Sequence, residues 1–317
     1  ERSRGLGDVY KRQMIVQSLA SVGPVYAADD GVSIADTFTD SSFRSYVSSN
    51  FDTDSNGYLS DAEISNVTSI DVSKCSPAIS SLNGVELFTN LSKLDCNEQS
   101  IRNLDIENLE NLEYIDVSSN RIDSLTLPVS AEKLTYLDIS GNKITSLTSL
   151  ADYNNLVLLN ANSTNLSSID VSNMKGLKVL GVSGTTISTL DLGSNMELTT
   201  LYCDSMRSLP VLDVSGHEKL KNLYCAGAKS DSGVVVRSSI TKLDVSGDIV
   251  LGSLDCSNSY VAELNIDNTP ALTTLDCSNT RLTSIDVSKN TSLSYLDVSS
   301  NVLGVVDFTC LLYTSPS

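Results

Sequence analysis

The sequence predicts a solenoid: short parallel strands on one face, extended or 3₁₀ backs behind them, and a small helical cap at the N-terminal end. Three observations predict it. An apolar register recurs through residues 67–308 in about eleven units, most of them starting 21 or 22 residues apart. Ahead of it, within residues 34–66, a twelve-residue loop rich in Asp, Asn and Ser separates two short segments with apolar faces. Finally, 40% of the 317 residues are apolar while aromatic residues reach only 5%, so a substantial core would be built from aliphatic side chains.

The chain ends differ from what lies between them. Residues 1–13, ERSRGLGDVYKRQ, carry four bases and two acids in an otherwise acidic chain. They resemble translated sequencing-adapter read-through, as does CLLYTSPS at 310–317. Residues 1–13 and 309–317 are therefore expected to be artefacts bounding a fragment. Residues 14–28 read as the remnant of a signal peptide, in which Val25 and Ala27 supply the small residues of a cleavage site. That remnant predicts a secreted or bacterial cell-surface protein.

The loop at 52–63 reads Asp52-Thr-Asp54-Ser-Asn56-Gly57-Tyr58-Leu59-Ser60-Asp61-Ala62-Glu63. Asp52, Asp54 and Asn56 offer side-chain oxygens at alternate positions. Gly57 permits a sharp turn, Tyr58 a backbone carbonyl, Ser60 a water-mediated contact and Glu63 a two-oxygen carboxylate. Calcium prefers six to eight oxygen ligands, which this spacing provides. The loop resembles the EF-hand, and the resemblance implies Ca²⁺ on these six residues. Asp40 can cap a helix over about 41–49 that turns Phe43, Tyr46 and Val47 to one side, and a short helix should follow from Ser60 to Asn66. No second hand is evident, so the site is expected to brace a cap rather than report a signal.

Units then begin at Val67, Leu91, Leu112, Leu134, Leu156, Leu177, Leu198, Leu220, Leu251, Leu272 and Leu293. Within each, apolar residues fall at positions 1, 4, 6, 11 and 14, with a small polar residue at 9. Positions 4 and 6 share one face of a strand, and position 5 between them is expected in solvent. One coil cannot bury its apolar side alone, so neighbours must stack. The pattern resembles the leucine-rich repeat, L-x-x-L-x-L-x-x-N/C-x-L, which implies a solenoid that acts as an adhesive or recognition module, similar to internalin-like and gut-bacterial surface proteins. Asn120, Asn142 and Asn301 occupy position 9, where an amide can bond the turn backbone. Thr164, Thr185, Ser259 and Thr280 can do part of that work, while Met206 and Ala228 cannot. The long unit at 220–250 is expected to project Lys229–Ser239 as a loop.

Cys96, Cys203, Cys225, Cys256 and Cys277 recur at position 6 with the period of the repeat, which argues for small core residues over a zinc site. Asp105, Asp170, Asp191, Asp213, Asp244, Asp286 and Asp307 at position 15 are expected to accept backbone hydrogen bonds at a turn. Asp71, Asp95, Asp116, Asp138, Asp255, Asp276 and Asp297 at position 5 are expected to form an exposed acidic ladder. Such a ladder, without a pocket or a partner histidine (His217 stands alone), does not make an enzyme. Between its two blocks the exposed positions become apolar and aromatic at Leu158, Val179, Tyr202 and Tyr224, and nearby Tyr114 and Tyr136 extend the strip toward the N-terminal side. Tyr and Leu bury area while surrounding charge sets orientation, so these six form the predicted partner-binding face. Acids outnumber bases 39 to 21, a formal charge of −18, which disfavours nucleic acid. No stretch reaches the roughly 18 apolar residues of a membrane span, so no membrane insertion is expected. The expected partner is a protein, or alternatively a glycan, bound by a monomer. The competing expectation is a structural spacer presenting an anchoring or catalytic domain further along a longer chain.

Overall fold

The computed structural model describes residues 31–147, 150, 152–229 and 234–304. The expected artefacts at 1–13 and 309–317, the expected signal remnant at 14–28, and Asp307 lie outside these residues.

The cap consists of helices α1 (Ile34–Thr37), α2 (Ser41–Phe51) and α3 (Asp61–Asn66). Asp40 starts α2 as predicted: the Ser42 and Phe43 N–H groups donate to its Oδ1 at 2.9 and 3.0 Å. Its other oxygen accepts from the Ser80 N–H and hydroxyl at 2.9 and 2.7 Å, which ties the cap to the first coil. Phe43 and Val47 are buried and Tyr46 packs against the same core. An aromatic cluster seals the end of the solenoid. Phe38 meets Phe43 edge-on at 5.5 Å and Phe88 of the first coil in a stack at 6.0 Å, while Phe51 meets Phe88 at 5.4 Å. A strand not foreseen, Val32–Ser33, pairs antiparallel with Tyr58–Leu59, so the cap begins ahead of residue 34.

Eleven coils follow, each contributing one strand to a single parallel sheet. In chain order these are Ser69–Asp71, Lys93–Asp95, Tyr114–Asp116, Tyr136–Asp138, Leu158–Asn160, Val179–Gly181, Thr200–Tyr202, Asn222–Tyr224, Ser253–Asp255, Thr274–Asp276 and Tyr295–Asp297. Every strand pairs with its neighbour without a slip, so equivalent positions of successive coils stand side by side. The cause is the pleat: the central residue, such as Leu94, Leu137 or Leu180, is fully buried, and a slip of one residue would turn it to solvent. The backs are extended as predicted. Some form short parallel strands of their own, Asn103–Asp105 with Ser124–Thr126, and Val211–Asp213 with Lys242–Asp244 and Glu263–Asn265. Among the described residues the 3₁₀ turn is Val85–Leu87, in the first coil.

Position 9 closes each turn. The Ile122 N–H donates to Asn142 Oδ1 at 2.9 Å, and Asn142 Nδ2 donates to three carbonyls, those of Val117, Ile139 and Ser140. Asn120 and Asn301 repeat the arrangement, and Gln99, which the repeat pattern does not single out, does so in the second coil. The hydroxyls of Thr164, Thr185, Ser259 and Thr280 each donate to the carbonyl three residues back.

Two expectations are corrected. Ala228 does not occupy position 9; Ser238 does, fully buried and bridged to Ser259. The insertion therefore lies before the turn, and its described part is a hairpin in which Ala228–Lys229 pairs antiparallel with Val235–Val236. Gly227 stands at its base, where a Cβ would fall 2.0 Å from the Asn258 carbonyl oxygen, so only glycine fits. Second, Asp95, Asp116 and Asp138 are not wet: each is less than a tenth exposed. Their carboxylates fold back on their own coils. Asp116 Oδ1 accepts from the Ser118 N–H and hydroxyl at 3.0 and 2.6 Å, and Asp138 does the same with Ser140. Asp255 is exposed, and Asp276 and Asp297 are half-buried, but each accepts the N–H two residues on. The position-15 aspartates, Asp105, Asp170, Asp191, Asp213, Asp244 and Asp286, accept in the same way. Both acidic columns thus do one job, closing a turn at the end of an extended segment.

The position-6 cysteines are buried and free. Desolvation raises their thiols, that of Cys277 to about 12, so they remain protonated core residues.

Candidate functional site

Two regions carry the predicted site residues. In the loop, Gly57 takes a left-handed conformation, with φ at +85°, that permits the chain to reverse. The reversal turns N–H groups inward: those of Asn56 and Gly57 donate to the two oxygens of Asp52 at 3.1 and 3.0 Å. Asn56 Nδ2 donates to Asp54 at 3.0 Å, and Asn56 Oδ1 accepts from the Tyr58 N–H at 2.7 Å. Tyr58 then enters the two-residue strand, and the fully buried Leu59 anchors the loop exit in the core.

Ser60 caps α3 in a reciprocal box: its hydroxyl accepts the Glu63 N–H, and Glu63 Oε2 accepts the Ser60 N–H at 2.9 Å. Glu63 Oε1 accepts the hydroxyl and N–H of Thr53, both at 2.6 Å. The Thr53 hydroxyl and the Ser60 N–H hold the Glu63 carboxyl down to about 2. Asp52, Asp54 and Glu63 each place a carboxylate oxygen within 4.8 Å of the others. Three negative charges that close repel one another, and a hard cation is the chemistry that relieves them. The oxygen-only donor set fits calcium. Asn56, Tyr58 and Ser60 lie on the same loop, although Ser60 is committed to the helix cap.

The second region is the outer face of the eleven-stranded sheet. Register puts Lys93, Tyr114, Tyr136, Leu158 and Val179 in one column. Two residues along the strands, Asp116, Asp138, Asn160, Gly181, Tyr202, Tyr224 and Asp255 form the next. All six predicted partner-binding residues therefore stand on one face, but as two aromatic pairs in different columns rather than one strip. Tyr114 and Tyr136 stack at 4.2 Å with planes 11° apart, and Tyr202 and Tyr224 at 4.9 Å and 6°. Leu158 and Val179 continue the first column, half-buried, and Tyr224 is the most exposed of the six at 42%.

Between the pairs the floor is polar. Asn160 Nδ2 donates to Asp138 at 2.8 Å, and the Ser183 N–H donates to Asn162 Oδ1 at 2.7 Å. Nearby, desolvation raises the half-buried Asp204 carboxyl to about 6, with Asp255 adding to the rise. Sequence reasoning passed over Asn160, Asn162, Gly181 and Asp204. The signal was present in the register, where Asn160 and then Gly181 replace the aspartates of position 5.

The family patterns described as "Leucine Rich repeats (2 copies)" and "Leucine Rich repeat" match residues 110–152 and 289–307. No curated protein matches the chain. Among solved structures, an internalin (inlF) from Listeria monocytogenes is 17% identical, with 90% of this chain and 96% of that one covered and a TM-score of 0.57. YopM, a leucine-rich effector protein from Yersinia pestis, is 19% identical over 69% of this chain and 57% of its own, with a TM-score of 0.56. The functional domain of InlJ from Listeria monocytogenes, which includes a cysteine ladder, is 24% identical over 86% of this chain and 76% of its own, at a TM-score of 0.44. The described residues thus have the leucine-rich repeat solenoid fold, similar to that of the internalin and of YopM, and two stretches of the chain match leucine-rich repeat patterns. No helix among the described residues is long and apolar enough to cross a membrane.

Proposed function

We propose that this protein is a recognition or adhesion module, secreted or held at a bacterial cell surface, that binds a protein partner through the outer face of its strand sheet without catalysing a reaction. The observation that carries this is the alignment of Tyr114, Tyr136, Leu158, Val179, Tyr202 and Tyr224 on one unslipped sheet, where two stacked tyrosine pairs stand among carboxylates. Stacked pairs are pre-ordered, so a partner covering them loses little side-chain entropy on binding. Chemical crosslinking and pull-down with bacterial and host surface proteins test the reading. Tyr202→Ala should weaken a captured partner by about 1–2 kcal/mol, the range of an interface aromatic. Capture that survives alanine at all four tyrosines would place binding elsewhere.

Calcium belongs to the same proposal. Asp52, Asp54, Asn56, Tyr58, Ser60 and Glu63 would hold the ion, and its charge would draw the three carboxylates together and brace the cap over the first coil. The convergence of Asp52, Asp54 and Glu63 supports this. Adding millimolar calcium to chelator-treated protein should raise the melting temperature and protect the 50–70 region from protease, and Glu63→Gln should abolish both effects. An unchanged melt and cleavage pattern would remove the ion from the account.

A further inference from the structure

The two tyrosine pairs are built alike but finished differently. On the N-terminal side of Tyr114, in register with it one coil earlier, stands Lys93. Its ammonium lies 5.0 Å from the Tyr114 ring centre and 3.9 and 3.7 Å from carboxylate oxygens of Asp71 and Asp95. The free face of the first pair is thus closed by the protein's own cation. On the N-terminal side of Tyr202, in register with it one coil earlier, stands Gly181, which has no side chain. The amide ends of Asn160 and Asn162 reach over its backbone in place of a side chain, 2.7–2.9 Å from where a Cβ would be. Asp138, hydrogen-bonded to Asn160, and Asp204 complete an acidic, acceptor-rich surround.

We propose that Gly181, Asn160, Asn162 and Tyr202 form a slot for a basic side chain of a protein partner, an arginine above all, which takes the place over Tyr202 that Lys93 takes over Tyr114. Charge complementarity selects the occupant. The chain carries a net −18, and ring faces attract cations by their negative quadrupole. A guanidinium adds planar stacking and five donors to meet amide and carboxylate oxygens. The molecule uses the same contact a second time, where Arg281 lies 4.2 Å and Arg237 5.5 Å from the Tyr260 ring centre. The inference rests on the recognition reading and names what that face recognises.

The test uses the full chain, with a short Gly/Ser peptide carrying one central arginine as probe and its citrulline counterpart as control. Binding is followed by NMR shifts of the tyrosine ring protons. The arginine peptide should shift Tyr202 and Tyr224 selectively, and citrulline, isosteric but neutral, should bind about tenfold more weakly. Gly181→Lys should close the slot from within by displacing the amide ends of Asn160 and Asn162, and should weaken the peptide to the citrulline level, with an unchanged circular dichroism spectrum showing that the coils remain folded. Lys93→Gly should open a second slot at Tyr114 and raise the stoichiometry to two. Equal binding of arginine and citrulline, indifference to Gly181→Lys, or shifts at Tyr202 from chitotriose but not from arginine would each overturn the slot. A captured partner lost on Tyr114→Ala yet untouched by Gly181→Lys would keep the recognition face and reject the slot alone.

Discussion

Asn142 ties four backbone groups of two coils together, whereas Thr185 at the same repeat position ties one carbonyl. Removing the amide strands a buried N–H and buried carbonyls, which costs more than losing one hydroxyl bond. Urea melts should therefore show Asn142→Ala destabilised by about 2–3 kcal/mol and Thr185→Ala by about 1 kcal/mol. Position 9 was legible in the sequence wherever it was Asn, Thr or Ser in register. Gln99 escaped notice because an extra methylene reaches the same carbonyls from a residue type that the repeat pattern omits. The burial of Asp95, Asp116 and Asp138 escaped for another reason. Alternation along a strand says which way a side chain starts, and the local Ser118 and Ser140 hydroxyls decide where its carboxylate ends.

The solenoid also carries a buried polar spine whose members come from successive coils: Asn195, His217, Asp248, Thr269 and Asn290. The His217 N–H donates to Asp248 Oδ1 at 2.9 Å, while its ring nitrogens lie 2.7 and 3.2 Å from the Val214 and Leu192 carbonyl oxygens. Desolvation drives the Asp248 carboxyl up to about 8, and Asp244 and Asp213 add to the rise. Between the ordinary value of 3.8 and about 8, the folded chain holds a proton here that the unfolded chain lacks. This contribution to stability is present at low pH and fades as pH climbs through that window. Asp204, raised to about 6, acts with the same sign. Melting temperature should accordingly fall between pH 5 and pH 8.5, and Asp248→Asn should flatten the upper part of that slope. A slope unchanged by the substitution would assign it to general charge repulsion. None of this spine was visible beforehand, because the repeat pattern specifies the strand and the turn but says little of the segment returning to the next coil.

Across the whole molecule the sheet pairs each coil with its immediate neighbours, and Arg237 reaches one coil further to Asn279, so stability is chiefly a chain of local interfaces. The N-terminal end is closed by the phenylalanine cluster and the Asp40–Ser80 bonds. At the other described end Leu296, Val298 and Leu303 are only partly covered. Amide exchange should be slowest in the central strands and fastest at Tyr295–Asp297, and chelating calcium should speed exchange in Ser69–Asp71 before it affects the middle. Uniform exchange along the sheet would contradict the local picture. The overall architecture was readable from the sequence because one period recurred in eleven strands. The exact entry of the insertion was not, since Ala228 and Ser238 both continue a plausible register and only stacking against Ser259 chooses between them.

That choice has a practical consequence. The hairpin leaves the wall at Gly227 and rejoins it at Arg237, whose guanidinium clasps the Ser259 and Asn279 carbonyls and the Asn279 side chain. Both feet are fixed by the scaffold, so the stretch between them is a natural splice port. Foreign epitopes or reporters grafted there would be displayed beside the sheet without disturbing the winding on either side.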